Sequence, residues 1–337
     1  MTRIHVSNSP RRHQGLTLVE LLVAMALGMV VVVIAAAGLL LGQQGYRSVD
    51  STTEMRDRER FVIDLVSRVV VQAGFQDFGA AQISVRSTFE DPEPDLYGWN
   101  NAVYAEPNNI SLSASTTIVH ENRPAACSVT DTSCRNGSDI LVVRYQGVNS
   151  TTTPTAADST MVNCVGQADR GLTDGNLNDR PISMFHVIRG ANGEPSLACS
   201  YFNFTTSSWV SSTPIIDGVE SFQVLYGTDG MSLPGEPVVA SDSVVDRWFR
   251  ADQLTVPGNP VLTRANWRKV RAVRIGLVLR GPVGSAPQAA AATLTPLGSL
   301  YTQASDVGAS LPVAADQRLR IQTAFTVHMR NDLSLRK

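Results

Sequence analysis

One carboxylate stands near the start of the longest apolar run in this sequence. Glu20 is followed by 21 residues, 21–41, that carry no charge. A charged side chain at the centre of a bilayer costs about 2.5–3.5 kcal/mol or more, so an acid in such a segment is a functional-site hypothesis that needs a partner. The nearest candidate partner is the α-amino group that cleavage between Gly15 and Leu16 would create. An amine and a carboxylate that pair there would offset much of the cost of removing each from water.

Side chains able to support catalysis are scattered rather than grouped. Neither a Gly-x-Ser-x-Gly elbow nor a phosphate-binding Walker loop occurs in the sequence. The histidines show no metal-ligand spacing, and we interpret the one at 186, within a strand pattern, as structural. The sequence therefore predicts no enzyme, no cofactor and no metal centre. The histidines are His5, His13, His120, His186 and His328.

Four cysteines follow the apolar run: Cys127, Cys134, Cys164 and Cys199. If the chain beyond the run is exported, an even number of cysteines in an oxidising compartment favours disulfides. Three pairings are possible, and we predict the nearest-neighbour one, Cys127 with Cys134 and Cys164 with Cys199. Zinc binding is the weaker alternative, because the sequence has no Cys-x-x-Cys pair and no nearby histidine cluster.

Two acidic segments invite comparison with cation-binding loops. Residues 91–95 read Asp-Pro-Glu-Pro-Asp, and the second segment has acids and amides at Asp169, Asp174, Asn176, Asn178 and Asp179. Neither has the spacing of an EF-hand loop. We interpret the first as an exposed turn and the second as a solvated turn, with weak calcium binding as the alternative for the second.

The apolar run is long enough to cross a membrane, which takes about 20 residues. Cations precede it at Arg3, Arg11 and Arg12, whereas Arg47 is soon followed by acids. The excess of cations on the N-terminal side predicts a cytoplasmic N-terminus and an exported remainder. A secretory signal peptide would be shorter and would end in a small-x-small cleavage site. A plain signal anchor would leave Glu20 without a role.

The helical pattern continues beyond the apolar run. Phe61, Leu65, Val69 and Ala73 recur at four-residue steps, and valines at 62, 66 and 70 widen this apolar face. Glycines at 74 and 79 mark the expected end. The pattern predicts one helix over residues 16–78, whose second half packs on a globular domain.

The remaining periodicity is that of β-strands. Strands are predicted at 139–145, 183–189, 200–204 and 218–226, and apolar residues alternate with polar ones at 273–279 and 319–329. Alternation with one polar face predicts an antiparallel sheet covered on one side by the helix face over 61–73. We interpret the arginines of the polar face as solvated or paired. The predicted fold class is α+β, with long loops.

The size and charge of the chain restrict the number of domains and the kinds of partner to be expected. The chain has 337 residues, a net charge of −2 and only 17% charged residues. Without the N-terminal segment, close to 300 residues remain, enough for one large or two small domains. No basic face or polybasic tail is present, so a nucleic-acid partner is not expected.

The segment Gly15-Leu16-Thr17-Leu18-Val19-Glu20-Leu21-Leu22 resembles the N-terminus of type IV prepilins and of type II secretion pseudopilins. In that family a membrane peptidase cleaves after the glycine and methylates the new N-terminal residue. The resemblance implies cleavage between Gly15 and Leu16, methylation of Leu16, and pairing of Glu20 with an α-amine during filament assembly. Leu16 replaces the phenylalanine or methionine common in the family.

Three further blocks, at 217–227, 270–275 and 325–331, resemble PilW-type minor pilins, and the last also resembles J-type minor pseudopilins. The implied organisation is a leader (1–15), a transmembrane and filament-core helix (16–42), an amphipathic helix (43–79) and a periplasmic β-rich pilin-like domain (80–337). The implied role is a structural subunit that primes type IV pilus assembly in a tip complex. A minor pseudopilin and a membrane-anchored binding module are the alternatives.

The resemblance also implies partners and a location. The expected partners are other minor pilins, the major pilin, the prepilin peptidase and methyltransferase, and the inner-membrane assembly machinery, with a tip adhesin as a further candidate. The protein is expected in the inner membrane as a single-pass protein, and then in the extracellular pilus.

Overall fold

The computed structural model describes residues 17–76, 93–104, 118–119, 136–153, 156–169, 180–190, 192–203, 206–232, 239–286, 288–301 and 305–331. The chain divides into two compact units, residues 1–50 and 51–337. Helix α1, Leu18–Val71, begins in the first unit and ends in the second.

In the first unit α1 contains a long apolar stretch. Residues Leu18–Leu40 have a mean hydropathy of 2.8, and none of this stretch is buried within the protein. Its 23 residues rise about 34 Å at 1.5 Å per residue, enough for a hydrocarbon core of about 30 Å. Glu20 is the single charged residue in the stretch.

In the second unit α1 buries one face in the core. Residues 62, 66 and 69 recur at three- and four-residue steps and therefore lie on one side of the helix, and residue 73, just past its end, is buried as well. Phe61 is 51% exposed, so its predicted place on the buried face is wrong. The helix is rotated by about one position from the predicted face, and the valines at 62, 66 and 70 carry the contact. The buried residues are Met55, Val62, Val66, Val69, Val70 and Ala73.

Helix α1 ends at Val71, earlier than the predicted end near residue 78. Gly74, one of the two predicted end markers, has φ +72°, a conformation that glycine adopts without steric cost. Its N–H donates to the Arg144 carbonyl at 3.0 Å. Asn331, the last described residue, donates from Nδ2 to the Val71 and Ala73 carbonyls at 3.2 Å each. The first turn beyond the helix is thus tied to two distant parts of the chain.

The second unit contains two main antiparallel sheets rather than the single sheet predicted. The first sheet has the strand order β1-β4-β5-β6-β7. Of these strands, β4, β5 and part of β6 were predicted, whereas β1 and β7 were not. The strands are β1 (Leu96–Trp99), β4 (Ile140–Arg144), β5 (Ile182–Arg189), β6 (Pro195–Asn203) and β7 (Ser208–Asp217).

The second sheet has the order β13-β10-β8-β9. It contains the two strands whose apolar and polar residues alternate in the sequence, β10 and β13. In β10, the predicted apolar positions Val273, Ile275, Leu277 and Leu279 are all buried. Valine 327 in β13 is buried as well. The α+β class with antiparallel sheets is confirmed. The strands are β8 (Val219–Thr228), β9 (Arg247–Phe249), β10 (Val270–Arg280) and β13 (Arg320–His328).

The other face of the second sheet is covered too, and its predicted polar exposure is therefore only partial. Residues 292–313, here called the covering segment, contain β11 (Ala292–Leu294), β12 (Leu311–Val313) and a 3₁₀ turn, Val307–Ala309. A Cβ added to Gly276 would lie 2.5 Å from the Pro296 carbonyl oxygen, so the segment touches the backbone of β10 directly. Arg274 donates to the Leu297 carbonyl at 3.1 Å.

Smaller elements complete the second unit. Strands β2 (Val103–Tyr104) and β3 (Ile118–Val119) pair with each other. Helices α2 (Ala251–Leu254) and α3 (Pro260–Trp267) lie between β9 and β10, where no element was predicted. The Asn259 side chain accepts the Leu262 N–H at 3.0 Å, as an N-cap residue does.

Candidate assembly site at the N-terminal turn

The first turn of α1 holds the Glu20 carboxylate through Thr17. The Thr17 N–H and Oγ1 donate to Glu20 Oε2 at 3.1 Å and 3.0 Å, and the Glu20 N–H donates to Thr17 Oγ1 at 3.2 Å. This reciprocal arrangement is a capping box, which satisfies backbone donors that a helix leaves unpaired at its start. The Thr-x-x-Glu spacing could have revealed it in the sequence. Glu20 therefore has a local structural role in addition to the expected ion pair.

The capping box fixes where the negative charge lies. Both Thr17 and Glu20 are exposed. The carboxylate lies at the positive end of the helix dipole, where an anion is favoured. Because only Oε2 accepts the two bonds from Thr17, the other carboxylate oxygen is available to an amine from outside the turn. Gly15 and Leu16 lie outside the described residues, so their predicted cleavage and methylation remain predictions.

One predicted disulfide is present in the second unit. Cys164 and Cys199 are bonded, with their Cα atoms 6.0 Å apart, which confirms this half of the predicted pairing. The bond joins the loop before β5 to the centre of β6. Cys127 and Cys134 lie outside the described residues, and their pairing remains a prediction.

Most arginines of the second sheet are paired. Arg280 forms 2.9 Å ion pairs with both Glu194 and Glu220. Arg320 pairs with Glu220 and Asp316, each at 2.7 Å. The hydrogen bond from Arg320 holds the pKa of Asp316 below its ordinary value. This balanced network joins both sheets and leaves no unpaired cluster of cations for an anionic ligand among these side chains.

The acidic segment at 91–95 is not the exposed turn that was predicted. Glu93 is only 8% exposed, and its carbonyl accepts Arg180 Nη2 at 2.7 Å. Asp95 forms an ion pair with Arg180. Residues 91 and 92 lie outside the described residues. The described acids thus serve an internal ion pair, which sequence spacing alone could not reveal because Arg180 is distant in the chain.

The second acidic segment is only partly described. Asp169 accepts the Tyr145 hydroxyl at 2.6 Å and is buried rather than solvated. Asp174, Asn176, Asn178 and Asp179 lie outside the described residues, so the calcium alternative for this loop stays untested.

Histidine 186 is buried in the first sheet, as its strand pattern predicted. Its Nε2 lies 3.0 Å from Ser200 Oγ, and its ring packs against that of Tyr104 at 4.2 Å between centroids. The Ser200 oxygen also accepts the Ser212 N–H at 2.8 Å. Ser200 is fully buried and holds strand β7 to its neighbours, which is a structural arrangement. Within the described residues, no group of three histidine, cysteine or acidic side chains could hold a metal ion.

Two family models match the sequence. The Prokaryotic N-terminal methylation motif matches residues 10–36, which include Gly15, Leu16 and Glu20. The model of Type IV Pilus-assembly protein W matches residues 184–331, from β5 through β13. No curated protein matches the chain.

Among solved structures, the chain is similar to a type IV-like pilin, TTHA1219, from Thermus thermophilus. The identity is 13%, the TM-score is 0.36, and the match covers 82% of this chain and 96% of the other. A likeness at this level carries no argument about function.

Proposed function

From two family matches that support a PilW-type minor pilin, we propose that the chain is a structural subunit that primes type IV pilus assembly within a tip complex. The supporting observation is the combination of a methylation motif, an otherwise uncharged span and Glu20 at the first turn of α1. The PilW match over residues 184–331 of the second unit supports a pilin-like β-rich domain. The protein is a pilin-like structural protein, anchored by its N-terminal helix.

Processing gives Glu20 its proposed partner. Cleavage between Gly15 and Leu16 would leave a methylated amine one residue before Thr17. Two opposite charges in an apolar environment stabilise each other, whereas either charge alone is strongly disfavoured. The capping box positions one carboxylate oxygen to meet an amine, either on the same subunit or on a neighbour. We infer that this pair forms in the filament core.

The proposed partners follow from this role. Members of the pilin family interact with other pilus components, and we propose minor pilins and the major pilin as neighbours along α1. The prepilin peptidase would act on residues 15 and 16 before assembly, with the second unit on the periplasmic side. A pseudopilin of a secretion system would use the same N-terminal chemistry. A minor pilin and a pseudopilin are therefore distinguished by the process they support in the host, pilus assembly or protein secretion.

The proposal is tested by following the protein from membrane to pilus. The chain is expressed in a host that assembles type IV pili, with and without its prepilin peptidase, and in a strain that lacks the endogenous gene. We expect an intact mass that corresponds to methylated residues 16–337, and restored surface pili. An uncleaved protein in the peptidase-positive host, or restored protein secretion without pili, would contradict the proposed role.

A further inference from the structure

Two buried aspartates come together where the covering segment meets the second sheet. Asp139, just before β4, accepts the Asn101 N–H at 2.8 Å and the Val224 N–H at 2.7 Å. Asp306, just before the 3₁₀ turn, accepts Asn101 Nδ2 and the Gly308 N–H, each at 3.2 Å. Their exposures are 3% and 4%. Asn101 therefore contacts both carboxylates and sets them side by side.

Two buried amide oxygens border the same carboxylates. Asn101 is 1% exposed, and its Oδ1 finds no hydrogen-bond donor among the described residues. This oxygen belongs to the amide that donates to Asp306, so it lies beside that carboxylate. Gln223 is fully buried, and its Oε1 likewise finds no donor in the described part of the chain. It lies against Gly308, since a Cβ added there would be 2.1 Å away.

The centre carries more negative than positive charge. Among the described residues, the cation at this place is Arg250, whose guanidinium pairs with Asp252 at 2.9 Å and also donates to Ser305 at 3.3 Å. One guanidinium thus stands against three carboxylates. The two amide oxygens that find no donor among the described residues are unfavourable to bury, and they add to the demand for a cation.

We propose that Asp139, Asp306, Asn101 and Gln223 bind a calcium ion. All four side chains offer oxygen donors, which calcium prefers, and none offers the nitrogen or sulfur that zinc and copper favour. Calcium accepts six to eight oxygens in variable geometry, whereas magnesium demands a near-ideal octahedron. The two carboxylates and two amide oxygens supply the protein ligands, and water completes the shell. All four residues lie outside the two acidic segments noted in the sequence.

Calcium at this centre would join three parts of the second unit. Asp139 leads into β4, Gln223 belongs to β8, and Asp306 belongs to the covering segment. The ion would therefore hold the covering segment against the second sheet and would link the two sheets. Extracellular modules bind calcium with dissociation constants of about 10⁻⁴–10⁻³ M, which suits an exported protein. This inference does not depend on the proposed function.

The test measures thermal unfolding of the full chain in detergent, first with a chelator and then with added calcium or magnesium. A ligand that binds the folded state alone raises the unfolding temperature by mass action. We expect a rise of about 5 °C at a calcium concentration 100-fold above its dissociation constant. The rise with magnesium should be smaller. Terbium luminescence gives a second readout, because the Tyr301 hydroxyl lies 3.1 Å from Asp306 Oδ2 and can sensitise a bound lanthanide.

Three variants test whether the calcium-dependent rise in unfolding temperature arises at this centre. Asp306→Asn should lose the calcium-dependent rise and the terbium signal. Asn101→Asp adds a third carboxylate to the proposed ligands, beside Asp139 and Asp306. It should unfold at a lower temperature in chelator but show a larger rise with calcium. Asp169→Asn is the matched control, since Asp169 is also buried and accepts a tyrosine hydroxyl, and it should respond like the wild type. No rise in the wild type, or an unchanged rise in Asp306→Asn and Asn101→Asp, would overturn the assignment.

Discussion

The Tyr145 hydroxyl donates a 2.6 Å hydrogen bond to Asp169 Oδ2 within the buried interior of the second unit. Burial raises the pKa of Asp169 to about 6, although the bond from Tyr145 acts in the opposite direction. The folded state therefore holds a proton on this carboxyl in a pH range where the unfolded chain has released it.

The first prediction follows from that proton. Between pH 4 and pH 6 the folded state binds more protons than the unfolded state, so the Asp169 contribution to the free energy of unfolding falls as pH rises. The loss is about 2–3 kcal/mol. Asp169→Asn keeps an acceptor for Tyr145 and has no charge. We expect it to be more stable than the wild type at pH 7.5, with a difference that shrinks towards pH 4.5.

Thermal unfolding of the detergent-solubilised chain across this pH range measures the difference. Asp57→Asn is the control, because the Asp57 side chain is 70% exposed and its removal should change little. Parallel pH curves for the wild type and Asp169→Asn would show that Asp169 is already ionised in the folded protein.

The second prediction separates the charge of Glu20 from its capping role. Glu20→Ala removes both, whereas Thr17→Ala keeps the carboxylate and removes only the capping bonds, at a cost of about 1 kcal/mol to the helix end. We expect both variants to insert and to be cleaved. Glu20→Ala should be strongly depleted from sheared pili relative to the membrane pool, Thr17→Ala only mildly, and Glu20→Asp to an intermediate degree. Equal incorporation of wild type and Glu20→Ala would remove the assembly role.

The third prediction concerns the Cys164–Cys199 disulfide, which closes a loop of 35 residues. In the chain-entropy model such a bond contributes about 3–4 kcal/mol. Replacing both cysteines by serine should lower the unfolding temperature of the second unit by several degrees. Serine at Cys127 and Cys134 is the comparison, since the shorter loop predicts a smaller loss. Peptide mapping without reductant checks the pairing, and a link between the two predicted pairs would contradict it.

The fourth prediction rests on the close approach of Gly98 in β1. A Cβ at this position would lie 2.2 Å from both the Ile140 carbonyl oxygen and the Tyr226 hydroxyl. The backbone of the neighbouring strand cannot move without breaking the sheet, so Gly98→Ala should cost about 3 kcal/mol or more.

Tyr226→Phe provides the control for Gly98→Ala. The Tyr226 hydroxyl is buried and accepts or donates no hydrogen bond among the described residues, so its removal should leave stability unchanged or higher. Equal unfolding temperatures for Gly98→Ala and the wild type would show that β1 is free to shift.

Periodicity predicted the elements that bury one complete face. Apolar residues recur at every second position of β10 and β13 because one side of each strand packs on the core. The buried Ala272 and Val278 on the other side of β10 interrupt this alternation. The same reasoning placed Phe61 on the buried face of α1, where the structure has Val62. In this helix, two faces that differ by one residue position are both apolar. Only packing against the rest of the second unit determines which of them is buried.

The helices and strands that were not predicted have weaker signals in their local sequence. Strand β7 is an edge strand of mostly serine, threonine and half-buried residues, with Ser212 at φ 53° interrupting its alternation. Helix α3 follows Pro257-Gly258-Asn259, which indicates a turn more strongly than a helix start. The Arg180 pair with Asp95 and the approach of Asp306 to Asn101 join residues far apart in sequence. Contacts of this kind depend on the tertiary fold, which no single sequence pattern describes.

The turn at Gly74 also bears on how the second unit would respond to a mechanical pull along helix α1. Beyond the face that α1 buries from Met55 onwards, its C-terminal end is held by Asn331, which donates to the Val71 and Ala73 carbonyls, and by Gly74, which donates to the Arg144 carbonyl. One of these contacts comes from the end of the described chain and the other from the first sheet. A pull on the end of the helix is therefore shared between two parts of the second unit that are distant in sequence.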